Sequence, residues 1–298
     1  MPLQLFNLNT NFMRSSRFQS LWTLITLLSL SEPLAAQRTI LWKVSKPGNA
    51  HVSYLLGTFH TLGESFIDSF PVIKDRLLSS DLYVSEALAD PQAIIHDINA
   101  RPESDTLRIM VSAQQLEQIK EIYHKSSLDI FKLTPAELTE QLVVFYFQYG
   151  CHPASLADKY TSDEYLQQIV HQYNKPAFYF ETDSMQEKLL RDQTTMMDWK
   201  YFKKRVGYLL QMYKMKPTAA VCKPEWSYLA FDIDYDFDKA CKDKVVVENR
   251  NDAWMNQLPA LLDQHNCFVD VGMQHLRNRC GLIMQLKAQG YLVEPMPM

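Results

Sequence analysis

Two histidines occupy the same local sequence context near opposite ends of the chain. The apolar stretch Tyr54–Gly57 ends in a glycine, and His60 follows three residues later. The stretch Cys267–Gly272 is built in the same way, and His275 follows three residues later. A neutral imidazole accepts a proton near neutral pH or gives a lone pair to a metal ion. The repeated spacing predicts that two strand ends meet in the fold and carry one active site.

Carboxylates end two further stretches that have the pattern of buried strands. Asp81–Glu86 ends in Glu86, and Pro176–Glu181 ends in Glu181. Because side chains at the carboxyl ends of neighbouring strands point into one crevice of an open sheet, we expect these glutamates to approach the two histidines. Two histidines and a glutamate are the ligand types of a catalytic divalent-metal site. The alternative is that the four residues are separate loop histidines and solvated carboxylates.

Arg250 and Asn251 are the next candidates for the site. They lie between the apolar triplet Val245–Val247 and the start of a predicted helix. An arginine presents a fixed fork of donors to a carboxylate or to a developing oxyanion. A surface ion pair with a helix cap is the alternative for these two residues. The chain contains no Gly-x-Ser-x-Gly elbow, no His-Glu-x-x-His helix and no phosphate-binding glycine loop.

The elements that must position these residues alternate between strands and helices. Leu41–Val44 and Val52–Leu56 predict a hairpin around the turn signal Pro47–Asn49. Thr134, followed by proline and then glutamate, predicts the start of a helix. Strands mixed with helices throughout predict an α/β or α+β domain with a central mixed sheet flanked by helices. We expect an inserted helical subdomain over about 101–173 and a long helix, or two, over 184–215. Two further helices are predicted over 253–262 and 276–289.

The N-terminal segment has the order of a secretory signal peptide. Arg14 and Arg17 precede the apolar stretch Leu21–Leu30, and the small residues Ala35 and Ala36 follow. We therefore predict a signal peptide over 1–36, a domain over 37–298, and an exported protein that is periplasmic or secreted. A single N-terminal anchor is the alternative. Nothing later in the sequence is apolar enough to predict a stable transmembrane segment.

Composition and cysteine content bound the class of protein. Apolar residues make up 47% and charged residues 21% of the chain, as in an ordinary globular protein. A formal net charge of -4 gives no electrostatic reason to expect nucleic acid as a partner. Export permits disulfides, and Cys222–Cys241 is the predicted pair; the alternative is that all five cysteines are reduced. No Cys-x-x-Cys spacing points to a zinc–thiolate site.

Five segments, in order along the chain, resemble the motifs of the TraB/GumN family. They are Leu55–His60, Val84–Glu86, Phe180–Thr182, Glu248–Asn251 and Val271–Leu276. That family is similar to the TIKI metalloproteases, which cleave Wnt proteins, and is distantly related to the erythromycin esterase and ChaN haem-binding folds. The resemblance extends over nearly the whole chain after the predicted signal peptide.

The resemblance implies a sheet with helices on its faces and a site built from the paired Gly-x-x-His motifs. It implies that His60, Glu86 and His275 are metal-linked or catalytic, and Glu181, Arg250 and Asn251 match further family positions. TIKI-like activity is associated with manganese or cobalt, so the resemblance implies one of these as the divalent metal.

Three functional hypotheses remain open at this point. The first is an exported metal-dependent hydrolase, a peptidase by resemblance, that acts on a peptide or small-molecule substrate. In it Glu86 or Glu181 would ligate the metal or act as base, and Arg250 would stabilise the tetrahedral oxyanion. The second is a non-catalytic protein that binds haem or another ligand in the same pocket. The third is a scaffold in which the motifs only stabilise the fold.

Overall fold

Six strands pair into one mixed sheet in this computed structural model, which describes residues 38–88, 90–124, 126–182, 185, 199–215 and 217–298. The strands are β1 (Leu41–Ser45), β2 (Val52–Thr58), β3 (Leu82–Ser85), β4 (Ala177–Tyr179), β5 (Cys267–Gly272) and β6 (Leu292–Pro295). Their order across the sheet is β4-β3-β5-β2-β1-β6. Strands β4, β3, β5 and β2 are mutually parallel, whereas β1 runs antiparallel to both β2 and β6. This arrangement confirms the predicted α/β class and central mixed sheet.

The local sequence explains why β1 and β2 form a hairpin. Gly48 adopts a φ of 81°, which only glycine takes without strain, and the amide of Asn49 donates to the carbonyl of Lys46 at 3.0 Å. The turn sets the antiparallel register in which Leu41 faces Leu56. In β2 the last four residues are all buried, as the near-continuous apolar run of a parallel strand requires.

Twelve α-helices lie in the described part of the chain, together with short 3₁₀ segments and one π-helical turn over Lys244–Glu248. The α-helices are α1 (Glu64–Asp68), α2 (Pro71–Ser79), α3 (Pro91–Ala100), α4 (Thr106–Met110), α5 (Ala113–Ile122), α6 (Pro135–Cys151), α7 (Ser162–Gln172), α8 (Trp199–Tyr213), α9 (Ala219–Leu229), α10 (Asn249–Met255), α11 (Leu258–Gln264) and α12 (Leu282–Ala288). The predicted start of α6 is confirmed, because Thr134 and Glu137 form a reciprocal capping box.

The buried apolar side chains form two clusters. The larger one lies on the sheet and includes the fully buried Leu56, Tyr83 and Phe268. The smaller one lies among α3 to α6 and α8, and Ile119 and Val206 are fully buried within it. In the sequence, helices α3 to α7 lie between β3 and β4. A helical subdomain over about 101–173 stays a prediction, since the second cluster also draws in α8.

Two predicted helices differ from those observed. The stretch 253–262, expected as one helix, divides into α10 and α11, because Pro259 cannot supply the amide that a continuous helix needs and instead occupies the first turn of α11. The helix expected over 276–289 begins only at Leu282, after a 3₁₀ turn over Met273–Leu276.

The predicted signal peptide over 1–36, and residues 186–198 of the helix predicted over 184–215, lie outside the described residues.

The predicted disulfide was wrong. Cys151 bonds Cys222, and Cys241 bonds Cys280, while Cys267 is free and buried in β5. The end of α6 packs against α9, which brings the first pair of Cα atoms to 5.3 Å. Spacing along the chain carries no information on this packing.

In the part of the chain that the structure describes, no helix is both long and apolar enough to span a bilayer.

Candidate active site

Three parallel strands deliver their following residues to one edge of the sheet. Strand β5 lies between β2 and β3, with Thr58 opposite Gly272 and Ser85 opposite Asp270. His60 follows β2 by two residues, Glu86 follows β3 directly, and His275 follows β5 by three. Because all three strands point the same way, these side chains leave the same edge of the sheet.

Gly272 leaves open the space on which these three side chains converge. A Cβ placed on Gly272 would lie 3.3 Å from Glu86 Oε1, 3.4 Å from His60 Nε2 and 3.8 Å from His275 Cδ2. The Gly272 amide donates to Glu86 Oε1 at 2.7 Å, which fixes the carboxylate over the strand end. The glycine of the Gly-x-x-His motif at β5 therefore allows the side chains of Glu86 and His60 to approach the strand end closely. The residue is not in the left-handed region, since its φ is -56°.

Asn251 fixes the tautomer of His275. The amide group of Asn251 donates through Nδ2 to the carbonyls of His275, at 3.1 Å, and Cys280, at 2.8 Å. Its Oδ1 therefore faces His275 Nδ1, 2.7 Å away, and accepts the Nδ1 proton. The Nε2 lone pair is left facing the pocket. Burial lowers the pKa of His275 to about 4, so the imidazole is neutral at physiological pH.

Arg250 is the centre of a buried ionic network. Its Nε and Nη2 donate to the two carboxylate oxygens of Glu181, at 2.7 and 2.8 Å, in the bidentate geometry that arginine favours. Nη2 also donates to Glu86 Oε2 at 2.6 Å, and Nη1 lies 3.1 Å from His275 Nε2. The side chain of Arg250 is only 12% exposed. The alternative of a surface ion pair is therefore wrong.

Trp254 closes the inner side of this network. Its Nε1 donates to Glu181 Oε1 at 3.0 Å, and its ring lies 4.8 Å from the guanidinium carbon of Arg250 and 4.4 Å from the His275 ring. Burial opposes the ionisation of Glu86, but the Arg250 cation and the Gly272 amide outweigh it and hold the pKa of that carboxyl below its ordinary value. The network is thus a cation between two carboxylates, shielded by an aromatic wall.

Asp163, at the start of α7, is a site residue that the sequence analysis missed. Its Oδ2 lies 2.7 Å from His60 Nδ1. The Asp163 carboxylate raises the pKa of His60 to about 9 and directs Nε2 toward Gly272. The capping box Thr161–Glu164 marks the start of α7, but no local signal shows that this helix end meets β2.

A second unforeseen carboxyl lies beneath the site. Asp270 is fully buried in β5, and its Oδ2 accepts a hydrogen bond from the Tyr83 hydroxyl at 2.8 Å. Its Oδ1 has no hydrogen-bond partner among the described residues. Burial raises the pKa of Asp270 well above its ordinary value, which favours the protonated form of this carboxyl.

The site opens into a pocket of about 500 Å³. His60, Glu86, Arg250 and His275 line it, whereas Glu181 and Asn251 lie behind Arg250 and His275. Helix α6 forms an apolar wall of the pocket with Val143, Val144 and Phe147. All six residues singled out from the sequence therefore lie at one site. Five of them are joined by hydrogen bonds and ion pairs, and His60, which is bonded to Asp163, lines the same pocket.

The fit of a divalent metal depends on donor types and on spacing. Both imidazoles have Nδ1 bonded to a side-chain oxygen and Nε2 toward the pocket, as histidine ligands do, and Glu86 supplies a carboxylate. These donor types fit a catalytic metal. Over the described ranges, however, no three His, Cys, Asp or Glu residues have the spacing of a metal-binding group. Glu86 Oε1 and His275 Nε2 are 3.6 Å apart, and Arg250 Nη1 engages the His275 lone pair.

Comparison with known proteins supplies one match. A family model described as the TraB/PrgY/gumN family matches residues 40–295. No curated protein and no solved structure matched the chain. The matched range contains both strand–glycine–histidine elements, the whole sheet and every residue of the buried network.

Proposed function

The chain belongs to the TraB/PrgY/gumN family, and on that premise we propose that it is a metal-dependent hydrolase that cleaves a peptide or a small carbonyl substrate. The observation that carries this proposal is the convergence of His60, Glu86 and His275 on the open space over Gly272, inside a pocket with an apolar wall. Two imidazoles and one carboxylate are the ligand set that leaves room for substrate at a catalytic metal.

His60, Glu86 and His275 would hold the cation, with manganese or cobalt as the first candidates. When bound, a divalent metal polarises a carbonyl and lowers the pKa of water toward neutrality. Asp163 and Asn251 keep the two Nδ1 protons, so both Nε2 atoms face the pocket. His60, whose pKa is about 9, would release its Nε2 proton when it binds a cation. Such polar partners behind the ligands are needed for ligand orientation and basicity.

Arg250 has two tasks in this proposal. It compensates the charges of Glu86 and Glu181, which burial would otherwise destabilise. Its Nη1–H group lies against the lone pair of His275 Nε2. If that lone pair were given to a metal, the Nη1–H group would be free to donate a hydrogen bond to an oxyanion in the pocket. The bidentate bond to Glu181 anchors the guanidinium during that exchange of partners.

The apolar wall supports a substrate with a non-polar side chain next to the reacting carbonyl. Val143, Val144 and Phe147 lie across the same pocket from the charged residues. This wall would exclude water from one side of a bound substrate, which would strengthen the hydrogen bonds of the charged residues. We also propose export to the periplasm or beyond the cell, which the two disulfides support, since such bonds persist in oxidising compartments.

The test is metal analysis combined with peptide cleavage. Purified protein is stripped with a chelator, reloaded with Mn²⁺ or Co²⁺, and assayed against a peptide library. We expect one metal per chain and metal-dependent cleavage, both lost in the double variant His60→Ala/His275→Ala. The matched control is His171→Ala, because His171 is exposed at the end of α7 and outside the pocket.

Two outcomes would count against the proposal. A wild-type protein that retains no metal and cleaves no peptide after reloading would refute it. A protein that shows a haem Soret band without hydrolysis would favour the ligand-binding alternative in the same pocket.

A further inference from the structure

Helix α8 carries a concentration of positive charge that the proposed site does not use. Over 199–215 there are five cationic side chains and no acidic one, although the whole chain has a net charge of -4. The cations are Lys200, Lys203, Lys204, Arg205 and Lys214. None of them makes an ion pair with an acidic residue in the ranges that the structure describes. The charge is therefore uncompensated within this part of the protein.

The two faces of α8 have opposite character. Phe202, Val206, Leu209 and Leu210 are buried and pack into the helical cluster against α5 and α6. The outer face repeats at helical spacing through Lys200, Lys204 and Tyr208. The helix is thus held in place by its inner face, and its outer face is left to interact with something else.

Large aromatic and apolar side chains accompany the lysines on the outer face. Trp199 is 42% exposed, Tyr208 is 55% exposed, and Met215, just beyond the helix, is 61% exposed. Lys200 and Lys204 are one turn apart with no anion between them, an arrangement that disfavours a helix unless an external anion compensates it. Exposed Trp and Tyr next to unpaired lysines are the composition of a surface that rests at a membrane interface.

We propose that the outer face of α8, from Trp199 to Met215, docks onto an anionic lipid surface. Charge complementarity brings the lysines to the headgroup phosphates, and the aromatic rings and Met215 enter the boundary between headgroups and acyl chains. The contact is shallow and reversible, because the apolar face of the helix stays in the protein core. This inference is independent of the hydrolase proposal.

The test is co-sedimentation with vesicles of phosphatidylcholine, with and without phosphatidylglycerol. The full chain is used, and only the increment due to the anionic lipid is scored, because the apolar stretch Leu21–Leu30 would add equal binding to both vesicles. We expect a clear increment that falls as salt is raised. Lys200→Glu/Lys204→Glu should abolish most of it, whereas Lys159→Glu/Lys287→Glu, with the same change in net charge on exposed residues outside α8, should not.

A second readout follows the aromatic residues. We expect a blue shift of tryptophan emission on binding to anionic vesicles, and Trp199→Phe should remove most of it. Equal binding to both vesicle types, or equal losses in the two charge-reversal variants, would overturn the proposal. Full competition by single-stranded DNA against the vesicles would also overturn it, by assigning the face to polyanions in general.

Discussion

The carboxylate oxygen Oδ2 of Asp163 lies 2.7 Å from Nδ1 of His60, although the two residues are 103 positions apart in the chain. This contact orients His60 and keeps its pKa at about 9. We predict that Asp163→Asn, which keeps the size of the side chain but removes its charge, lowers the pKa of His60 toward its ordinary 6.5. A titration of the imidazole resonances by NMR measures this directly in metal-free protein.

The same variant should cost about 10- to 100-fold in metal affinity or activity, as the loss of a polar partner behind a histidine ligand typically does. An unchanged pKa for His60 would show that Asp163 does not control its charge.

Gly272 should be essential to the site and dispensable to the fold. Its φ of -56° and ψ of 139° are accessible to alanine, so Gly272→Ala should change the free energy of unfolding by no more than about 1 kcal/mol. The new methyl group would stand 3.3 Å from Glu86 Oε1 and 3.4 Å from His60 Nε2, in the space where the proposed metal or substrate binds. We expect activity to fall by about 100-fold.

Gly207→Ala is the matched control for this substitution. Gly207 lies inside α8, and an added Cβ would meet only the end of the Gln115 side chain at 3.4 Å. It should raise stability by about 0.5–1 kcal/mol and leave activity unchanged. Denaturant unfolding and peptide cleavage, measured on both variants, test the pair. Full activity in Gly272→Ala would move the proposed site away from this strand end.

The two disulfides should have different effects on the site. The Cys280 carbonyl accepts from Asn251 Nδ2, and the Cys280 amide donates to Cys241 Sγ at 3.2 Å, so this bond lies one contact from the residue that orients His275. We predict that Cys241→Ser/Cys280→Ser lowers metal affinity or activity about tenfold or more.

Cys151→Ser/Cys222→Ser is the comparison. The Cys151–Cys222 bond closes a separation of 71 residues, whereas the Cys241–Cys280 bond closes one of 39. In the chain-entropy treatment, loss of the first bond should therefore lower stability by about 0.5 kcal/mol more than loss of the second. Cys151→Ser/Cys222→Ser should therefore be the less stable variant in thermal unfolding. Cys241→Ser/Cys280→Ser should be the weaker metal binder in a titration. The same rank order in both measurements would contradict a positioning role for the Cys241–Cys280 bond.

Glu225 should make stability depend on pH. The residue is fully buried in α9, neither carboxyl oxygen has a partner at hydrogen-bond geometry among the described residues, and burial raises its pKa from 4.5 to about 7. The unfolded chain therefore loses this proton first, and the free energy of unfolding should fall as pH rises from about 4.5 to 7, on the order of 3 kcal/mol in all.

Glu225→Gln removes the titration and keeps the size of the side chain. The difference in unfolding free energy between wild type and variant should shift in favour of the variant as pH rises through this window, as followed by urea unfolding at a series of pH values. A difference that does not vary with pH would show that Glu225 is not held as a neutral acid.

Sequence reasoning reached the parts of this protein that local patterns encode. The strands, the Gly48 turn and the Thr134 capping box follow from propensity and from backbone chemistry within a few residues. The meeting of His60 with His275 followed from two matching strand ends, because parallel pairing brings such ends together. What escaped was non-local: the approach of Asp163, the burial of Arg250, and the disulfide partners all depend on how helices pack, which spacing along the chain does not encode.

Strand β5 is the only strand that pairs with both halves of the six-stranded sheet described above, with β3 on one side and β2 on the other. It also follows both of these strands in the chain, so it leaves the ribosome after them. Until it emerges, the β1–β2 hairpin and β3 have no direct pairing with each other, and neither His60 nor Glu86 has Gly272 beside it. Chains cut short before Cys267 would therefore lack both the strand that joins the two parts of the sheet and the arrangement of residues that forms the pocket.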